Sequence, residues 1–399
     1  MRATLADGAS RRFFAAHAQS SIGSGLAHVA LPLLAYEVTG SAWAVTAVLV
    51  PDLLPAILFG PLLGALVDKV GWRACAIAAD VLRCVAFTIL AFTDSLVAMV
   101  FAAALAGTGV ALFTPAALAG LGRLAGEERR PAALGLFGAL DDLGLTAGPA
   151  LAALLLAFVP AAGLLAANAV TFAISGLLLT GLPREAVPAD GGPSLWRSVR
   201  EGVRDLRGRR DVRVLLLSSA AAVMCVGVTN VGEVVLARDV LDVGGSGLGA
   251  LVAAAGAGTV LGSLAARFGA PWQWRRAYVV GLLCMAGDLF VCAMAPSLWL
   301  LLPVFVVGGF GNGIALVHDR LLLAHAVPPA LHGRLFGLHK TLVSAAFALS
   351  FLAAGGMIAV SGVQVMFFCA GAGLLSVIAL VAPRLRSTWP APAPLAVAA

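Results

Sequence analysis

The stretch Gly64-Ala65-Leu66-Val67-Asp68-Lys69-Val70-Gly71-Trp72-Arg73 joins two long apolar segments through a few residues that include an acid, two bases and a glycine. So short a connection predicts two membrane helices packed side by side. Gly64 lets a helix end approach its neighbour closely, and Gly71 permits the positive φ of a tight reversal. The carboxylate of Asp68 is placed to meet a helix N-terminus or an arginine. An ordinary polar hairpin is the alternative interpretation.

Composition places the whole chain in the membrane. Of its 399 residues, 61% are hydrophobic and 12% are charged, and its mean hydropathy is +0.99, whereas about a quarter of the residues of a soluble domain are charged. The sequence therefore predicts an all-α polytopic membrane protein with about twelve transmembrane helices. The apolar runs that predict them lie at 13–38, 43–67, 74–92, 96–120, 132–157, 161–182, 212–237, 247–266, 277–295, 297–318, 335–359 and 363–382.

The basic residues lie in alternate loops. Lys69 and Arg73 follow the second span, further arginines follow the fourth, and the long central segment carries many more. The opposite loops hold Arg238 as their only base, together with the acids Glu37, Asp94, Asp239 and Asp242. This asymmetry predicts a cell-membrane protein with both termini in the cytoplasm. A nucleic-acid-binding patch is the competing explanation of the bases, but their division among membrane loops argues against a nucleic-acid partner.

Internal repeats predict two halves. Residues 107–112 in span four match residues 311–316 in span ten, and residues 28–38 in span one overlay residues 230–240 in span seven. A degraded copy of the opening stretch recurs at 262–269. Repeats separated by half the chain indicate two six-helix halves in parallel topology.

The predicted domains are an N-terminal half (1–182), a cytoplasmic linker (183–211) and a C-terminal half with a short tail (212–399). Apolar residues of the linker recur at helical spacing among arginines, which predicts a basic amphipathic helix on the inner leaflet. A solvated charged linker is the alternative. The linker residues that give this spacing are Trp196, Val199, Val203 and Leu206.

The sequence indicates no cofactor, metal or enzyme site. The six cysteines lie inside predicted spans without paired spacing, and the six histidines form no HExxH-type motif. The phosphate-binding GxxxxGK[ST] loop of an ATP-driven pump is missing as well. The first span is too long for the apolar core of a signal peptide. We therefore expect a monomeric transporter without cofactors, and not an enzyme.

Charged residues inside the spans mark candidate functional sites, since a charge in hydrocarbon is costly. Asp80 and Arg83 stand three residues apart, share a helix face and are predicted to form a structural pair that supports the opening stretch. Lys340 is the only unassigned base in a span. Further acids have no base within helical reach, namely Asp52, Asp141, Asp142, Glu233 and Asp288.

A carboxyl group in a low-dielectric cavity can take up a proton near neutral pH, and a group exposed to each side in turn then carries protons. We favour Asp142, Glu233 and Asp52 for this role. Asp141 and Asp288 come second. Two alternatives remain open: Asp52 can bond backbone groups freed by the preceding proline, and Asp288 can bond a neighbouring helix.

Two further features concern packing and ligand contact. Gly144, Gly148 and Pro149 in span five belong to a string of small residues at every fourth position, which predicts a kinked helix packed tightly on a partner. His28 in span one shares a helical face with small and polar residues. It can hydrogen-bond a ligand or titrate there, and a histidine satisfied in the core is the alternative.

The opening stretch resembles the signature loop between helices 2 and 3 of the major facilitator superfamily, with Trp72 at one of the usual basic positions. The string 144–153 is similar to the antiporter motif of drug exporters in that superfamily, although Ala152 and Ala153 replace its closing glycines. Asp142 falls where the branch related to macrolide and siderophore exporters usually has an asparagine. Other segments that agree with that branch are 31–32, 36–41, 60–61 and 200–203.

The resemblance covers essentially the whole chain and implies a rocker-switch transporter with a cavity between its halves, lined mainly by spans one, four, seven and ten. On those spans we place four substrate-cavity residues, namely His28, Asn230, Glu233 and Asn312. The gating motif implied by the resemblance comprises Gly64, Asp68, Lys69, Gly71, Arg73, Asp80 and Arg83.

These features predict proton-coupled export of a small lipophilic compound, such as an antibiotic or secondary metabolite. Without a nucleotide site, uphill export must draw on an ion gradient, and buried carboxylates suit protons better than a sodium site built from several oxygens. Only two tyrosines occur in the chain, and so apolar a wall favours a lipophilic ligand over a sugar. A uniporter or proton-coupled importer on the same fold is the alternative.

Overall fold

Long apolar helices make up almost all of the chain that the structure describes. The structure is a computed structural model, and it describes residues 7–183, 210–268, 270–294, 297–327 and 332–388. Helices satisfy their own backbone hydrogen bonds, which is the condition for crossing lipid. They are α1 (Gly8–Thr39), α2 (Ala42–Val70), α3 (Trp72–Phe92), α4 (Leu96–Leu155), α5 (Ala161–Thr180), α6 (Arg210–Val226), α7 (Thr229–Val235, continued by a π-helical turn, Leu236–Val240), α8 (Gly244–Ala266), α9 (Trp274–Met294), α10 (Leu298–Ala326), α11 (His332–Ser361) and α12 (Val363–Thr388).

The number of membrane spans agrees with the sequence. Within the described ranges, eleven helices are long and apolar enough to cross a membrane, and the prediction of an all-α membrane protein is confirmed. The remaining predicted span is the second part of α4. It is helical, but Asp141 and Asp142 reduce its apolar character.

Predicted spans four and five are two helices that meet at a single non-helical residue, and together they are called α4. The helix is interrupted at Gly126, whose φ of 69° and ψ of 169° are not helical. Glycine adopts such angles at little steric cost, so the reversal needs no longer connection. We call residues 96–125 the first arm of α4 and residues 127–155 the second arm. Span seven is likewise divided, between α6 and α7.

The opening stretch forms the tight reversal that its glycine predicts. Gly71 alone separates α2 from α3, and its φ is 96°. Arg73 donates a hydrogen bond from Nε to the carbonyl oxygen of Leu179 (3.1 Å) and another from Nη2 to the carbonyl oxygen of Thr180. These carbonyls lie in the last turn of α5, whose carbonyl groups lack helical N–H partners; that of Leu179 also accepts from the backbone N–H of Leu182 at 3.1 Å. Arg73 therefore joins the reversal to the end of α5.

The helices pack in two groups. In the N half, α1 and α3 each pack on α4 and α5; in the C half, α8 and α9 pack on α10, and α12 packs on α6 and α9. Across the halves, α2 meets α11 and α4 meets α8. The amphipathic helix predicted between the halves falls on 184–209, outside the described residues.

Glycines bring α8 and α10 into backbone contact. Gly309 of α10 lies against the carbonyl oxygen of Ala255 in α8, and a Cβ atom on this glycine would overlap that oxygen. Gly258 of α8 lies in the same way against the backbone of Val306 in α10. Close approach of small residues is a main source of helix association in lipid. The contact therefore fixes the position of α10, one of the helices predicted to line the cavity.

We expect Gly309→Ala to destabilise the fold, because the new methyl group must push α10 away from α8. Overpacking of this kind costs about 1–3 kcal/mol. Gly287→Ala in α9 is the matched control, since a Cβ atom there meets nothing within 4 Å. The measurement is the melting temperature of the detergent-purified variants. Equal melting temperatures would show that the α8–α10 contact does not need a glycine.

Candidate transport pathway

Hydrogen bonds between helix ends define two sides of the molecule. Arg12 near the start of α1 donates to the carbonyl oxygen of Gly181 after α5, at 3.1 Å. Arg275 near the start of α9 donates to the carbonyl oxygen of Leu385 near the end of α12, at 2.9 Å. We call this the terminal side, because α1 begins and α12 ends there. The other is the opposite side, where α1 ends.

On the opposite side, the ends of α1 and α7 close the halves against each other. The hydroxyl of Tyr36 donates a hydrogen bond to Asp239, and the guanidinium of Arg238 donates one to Glu37. Tyr36 and Arg238 are equivalent positions of the internal repeat, 202 residues apart (36 to 238), and so are Glu37 and Asp239 (37 to 239). Each half contributes the same two positions to a reciprocal contact, as at an interface with a two-fold axis.

Contacts between α2 and α11 extend this closure. The hydroxyl of Thr46 donates to the carbonyl oxygen of Phe351 at 2.9 Å. Gly355 lies one turn further along α11, beside the side chains of Thr46 and Trp43. The halves are therefore joined on the opposite side by polar contacts and by close packing.

His28 shows from which side the space between the halves is open. It lies near the middle of α1, yet its side chain is exposed, and it interacts with the side chain of Asn230 in α7. Asn312, near the middle of α10, is also exposed. Because the opposite side is closed, we infer that the space around His28 between the halves opens on the terminal side.

The predicted acids lie in different surroundings. Asp52 in α2 and Glu233 in α7 are half-buried, and within the described ranges neither carboxylate contacts a base. Asp141 in the second arm of α4 faces the ring of His17. The side chain of Asp142 lies outside the described part of the structure.

A second acid lies near Glu233. Asp288 of α9 is its electrostatic neighbour, and the thiol of Cys292 donates to Asp288 Oδ1 at 3.7 Å. Gly308 of α10 leaves room for this carboxylate, since a Cβ atom there would lie 2.6 Å from Asp288 Oδ2. Asp288 therefore bonds within its own helix and lies against α10, while Glu233 has no hydrogen bond among the described residues.

Asp80 and Arg83 form a buried ion pair within α3. The guanidinium of Arg83 lies between the rings of Phe113 and Phe172, at 4.4 and 4.2 Å from their centroids. A cation between two aromatic faces gains favourable electrostatic energy in a poorly hydrated site. The pair therefore joins α3 to α4 and α5. Asp68, by contrast, is exposed at the end of α2, and its side chain makes no ion pair with any described residue.

Two histidine–aspartate contacts are features that the sequence interpretation missed. His17 Nε2 lies 3.1 Å from Asp141 Oδ1 in the N half, and His339 Nε2 lies 3.0 Å from Asp319 Oδ2 in the C half. Asp319 also accepts a hydrogen bond from the hydroxyl of Ser219. Ser219 stands 202 residues after His17 (17 to 219), but Asp141 and Asp319 lie on non-equivalent spans, so the repeat gave no signal for these contacts.

Helix lengths and rotations explain what else was missed. Asp319 lies just past the predicted end of span ten at 318, but α10 continues to Ala326 because the first helix-breaking proline comes at 328. Lys340 lies on α11 within its predicted span, and its side chain is exposed at the surface of the protein. The face that a residue occupies on a helix depends on packing, which hydropathy alone does not report.

We expect Arg83→Ala to reduce folding or membrane insertion strongly, because it leaves Asp80 as an uncompensated buried charge. Removing one partner of such a pair costs about 3–5 kcal/mol. The double variant Asp80→Asn/Arg83→Ala is expected to recover much of the loss, since no charge remains. Yields of monodisperse protein after detergent extraction measure this. A double variant no better than Arg83→Ala would mean that the pair does not stabilise the fold.

Comparisons with known proteins agree with this geometry. A family model described as Major Facilitator Superfamily matches residues 13–348. The chain is 29% identical over 387 residues to the multidrug efflux pump Tap of Mycolicibacterium fortuitum, which covers 91% of this chain and 93% of that protein. It is 23% identical over 384 residues to macrolide efflux protein A of Streptococcus pyogenes, covering 94% and 95%.

Solved structures show the same fold at low sequence identity. The nucleoside transporter NupG superposes with a TM-score of 0.76 at 12% identity, over 94% of this chain and 98% of that one. A bacterial homologue of the human lysosomal transporter Spinster superposes with a TM-score of 0.70 at 14% identity, over 97% and 100%. At these identities the likeness concerns the fold alone. The family model spans most of the sequence, and the chain therefore belongs to the Major Facilitator Superfamily of membrane transporters.

Proposed function

We propose that this secondary transporter exports a small lipophilic compound, such as a drug, antibiotic or secondary metabolite, in exchange for protons. The observation that carries the proposal is the pair of carboxylates, Asp52 and Glu233, that lie between the helices without a base among the described residues. A proton neutralises such an acid more readily than any other common ion in an apolar environment. Two of the relatives named above are efflux pumps, which supports the direction.

The distribution of charge supports an orientation. Bases concentrate in the loops of the terminal side and in the linker, so the terminal side faces the cytoplasm of the cell membrane. The cavity then opens to the cytoplasm, where an exporter loads its cargo. Alternating access requires the closed contacts of α1 and α7 to separate later, when the cargo leaves on the opposite side.

The coupling residues are proposed as a set. Asp142 or Glu233 carries the proton, and the other holds a cationic group of the ligand; Asp52 and Asp141 are the further candidates. Glu233 lies one helical turn after Asn230, which meets His28 of the other half. Protonation of Glu233 therefore takes place beside the contact between the halves, where it can bias their relative position.

The polar groups of the cavity are few. His28, Asn230 and Asn312 supply hydrogen-bonding side chains, but a sugar needs many more such contacts. A lipophilic ligand with one or two polar or cationic groups fits this composition. The chain works as a monomer in this proposal, since one chain provides both walls of the cavity. The gating motif around Asp68 and Gly71 acts on the conformational cycle and does not touch the ligand.

A susceptibility screen is the decisive experiment. A sensitive bacterial strain expressing this chain is tested against many toxic compounds, and Asp142→Asn and Glu233→Gln are then assayed on each hit. Inverted vesicles from the same strain should accumulate the hit when the pH gradient is imposed and should stop when it is collapsed. The proposed coupling would be refuted if transport did not depend on the pH gradient. It would also be refuted if both variants still transported the hit against its concentration gradient. Accumulation in the reverse direction would indicate an importer.

The reciprocal contact on the opposite side yields a second test. Arg238→Glu places an acid against Glu37 and is expected to favour the conformation that is open on the opposite side. The swapped double variant Glu37→Arg/Arg238→Glu should restore closure, because the pair is re-formed with its charges exchanged. A single cysteine at Thr46, in a background without native cysteines, reports the state by its rate of reaction with an impermeant maleimide. We expect a rate increase of about fivefold or more in Arg238→Glu, as about 1 kcal/mol of lost interaction implies. An unchanged rate, or failure of the swap to reverse it, contradicts the role of this contact.

A further inference from the structure

The ring of His17, to which the proposed function gives no role, lies in a buried polar cluster. It is on α1, and its side chain is only 5% exposed. The ring stacks on Phe137 of the second arm of α4, with centroids 4.0 Å apart and planes 7° from parallel. Phe113 of the first arm is also nearly parallel to the imidazole, with centroids 6.0 Å apart and planes 17° from parallel. These two rings fix the direction of the imidazole, and Nε2 faces Asp141 Oδ1 at 3.1 Å.

The side chains around this ring carry a net negative charge that a protonated imidazole would neutralise. The cluster holds Asp80 and Arg83 of α3 and Asp141 of α4, which lie within electrostatic reach of one another through the ring. Two carboxylates and one guanidinium leave one negative charge. A proton on His17 cancels it. The stacked ring of Phe137 also favours a cationic imidazole over a neutral one.

The polar contacts lead to the same result. Nε2 of His17 is buried and makes no hydrogen bond of good geometry among the described residues, in spite of its short distance to Asp141. A second proton on the ring turns this contact into an ion pair. Asp80 Oδ2 likewise has no well-formed hydrogen bond there, with the hydroxyl of Ser175 as its polar neighbour. Unsatisfied carboxylate oxygens in a buried site increase the benefit of an additional positive charge.

The other elements packed on α1 bring no competing charge to the ring. Within the described ranges, α5 faces α1 with the neutral side chains of Asn168 and Thr171. The charged residues of α2, which are Asp52, Asp68 and Lys69, make no contact with His17. The groups that set its charge are therefore those of α3 and α4.

Asp141 connects the buried ring to water. Its side chain is 49% exposed, whereas that of His17 is 5% exposed. One carboxylate thus touches both solvent and the imidazole. A proton can bind the carboxylate from water and pass to Nε2 over a single contact, without an opening in the aromatic walls.

The pair also stands at one end of the closest contact between α1 and the second arm of α4. Gly144 lies against the backbone of Ser21, and Gly148 lies against Gly25. Along successive turns of the two helices, Asp141 contacts His17, Gly144 contacts Ser21, and Gly148 contacts Gly25. Side chains at i and i+3 or i+4 share a helix face, so all of these contacts belong to one seam. Protonation of His17 holds its terminal end together, and loss of the proton leaves an unpaired carboxylate that water will hydrate.

We propose that His17 and Asp141 form a proton-binding site of the N half, which holds one proton in the cytoplasm-open conformation and clamps α1 to the second arm of α4. The site deepens the proposed function, and its use in coupling rests on that proposal, but the binding of the proton does not. His339 of α11 and Asp319 of α10 make another histidine–aspartate contact in the C half, on helices that are not the repeat partners of α1 and the second arm of α4.

The direct test is the protonation state of the ring in the purified full chain. Protein labelled with ¹³C and ¹⁵N at histidine is reconstituted in lipid, and the His17 resonances are assigned by their loss in His17→Gln. We expect the ring to change from protonated to neutral as the pH rises within about 5 to 9, around the range in which histidine titrates. In Asp141→Asn, the protonated fraction at pH 7 should fall at least about threefold, because the carboxylate no longer stabilises the cation.

Asp94→Asn is the matched control, because Asp94 is an exposed acid on the loop between α3 and α4 on the opposite side. It should leave the His17 signal unchanged. A ring that stays neutral or stays protonated from pH 5 to pH 9, or whose protonation does not change in Asp141→Asn, overturns the proposal.

The clamp is tested by the melting temperature. In the parent it should be higher at pH 6 than at pH 8.5, and in His17→Gln this difference should be lost. Equal pH dependence in the two proteins refutes the clamp.

The transport readout separates this inference from the proposed function. Ethidium accumulation in inverted vesicles is measured with and without a pH gradient. If the gradient drives the parent but not His17→Gln, both proposals are supported. If the gradient drives neither protein while the His17 resonance titrates as expected, proton-coupled export of this probe fails and the proton-binding site stands. If it drives both equally, His17 has no part in coupling.

Discussion

The reciprocal contact between the ends of α1 and α7 is the constraint on which this conformation depends. It joins Tyr36 to Asp239 by a hydrogen bond and Arg238 to Glu37 by an ion pair between partly exposed side chains. An exposed ion pair contributes about 0–1 kcal/mol and a hydrogen bond about 0.5–1.5 kcal/mol, so the contact is specific but weak. A transporter needs this combination, because the same contact must close the cavity in one state and break in every cycle. The exposure of His28 deep in α1 follows from closure at this end alone.

Inside the molecule, charge is handled in two ways. Asp80 is paired with Arg83 and enclosed by aromatic rings, an arrangement that holds three helices of the N half together. Glu233 and Asp52 stay without a base among the described residues. An unpaired carboxylate is costly in an apolar environment. We therefore regard the paired Asp80 and Arg83 as residues that stabilise the fold, and the unpaired Glu233 and Asp52 as candidates for transport.

The sequence predicted what depends on local chemistry and missed what depends on helix rotation. Apolar length and the glycine at Gly71 were enough for the spans and for the first reversal. The arginine-rich segment around Gly126 looked like a loop, since composition cannot show that one glycine suffices for the turn. Hydropathy placed Lys340 in a span but did not reveal that its side chain lies on an exposed face of α11. The contact of His17 with Asp141 joins helices far apart in sequence, and only packing could bring them together.

The one-residue reversals have a consequence for how the chain enters the bilayer. Gly71, Gly126 and Gly362 each connect two long helical segments and have positive φ. A single connecting residue keeps the ends of the two helices within about one helix diameter of each other. We therefore expect each pair to enter the bilayer as a helical hairpin. In α4 the apolar first arm would then assist the insertion of the second arm, in which Asp141 and Asp142 lower the hydropathy.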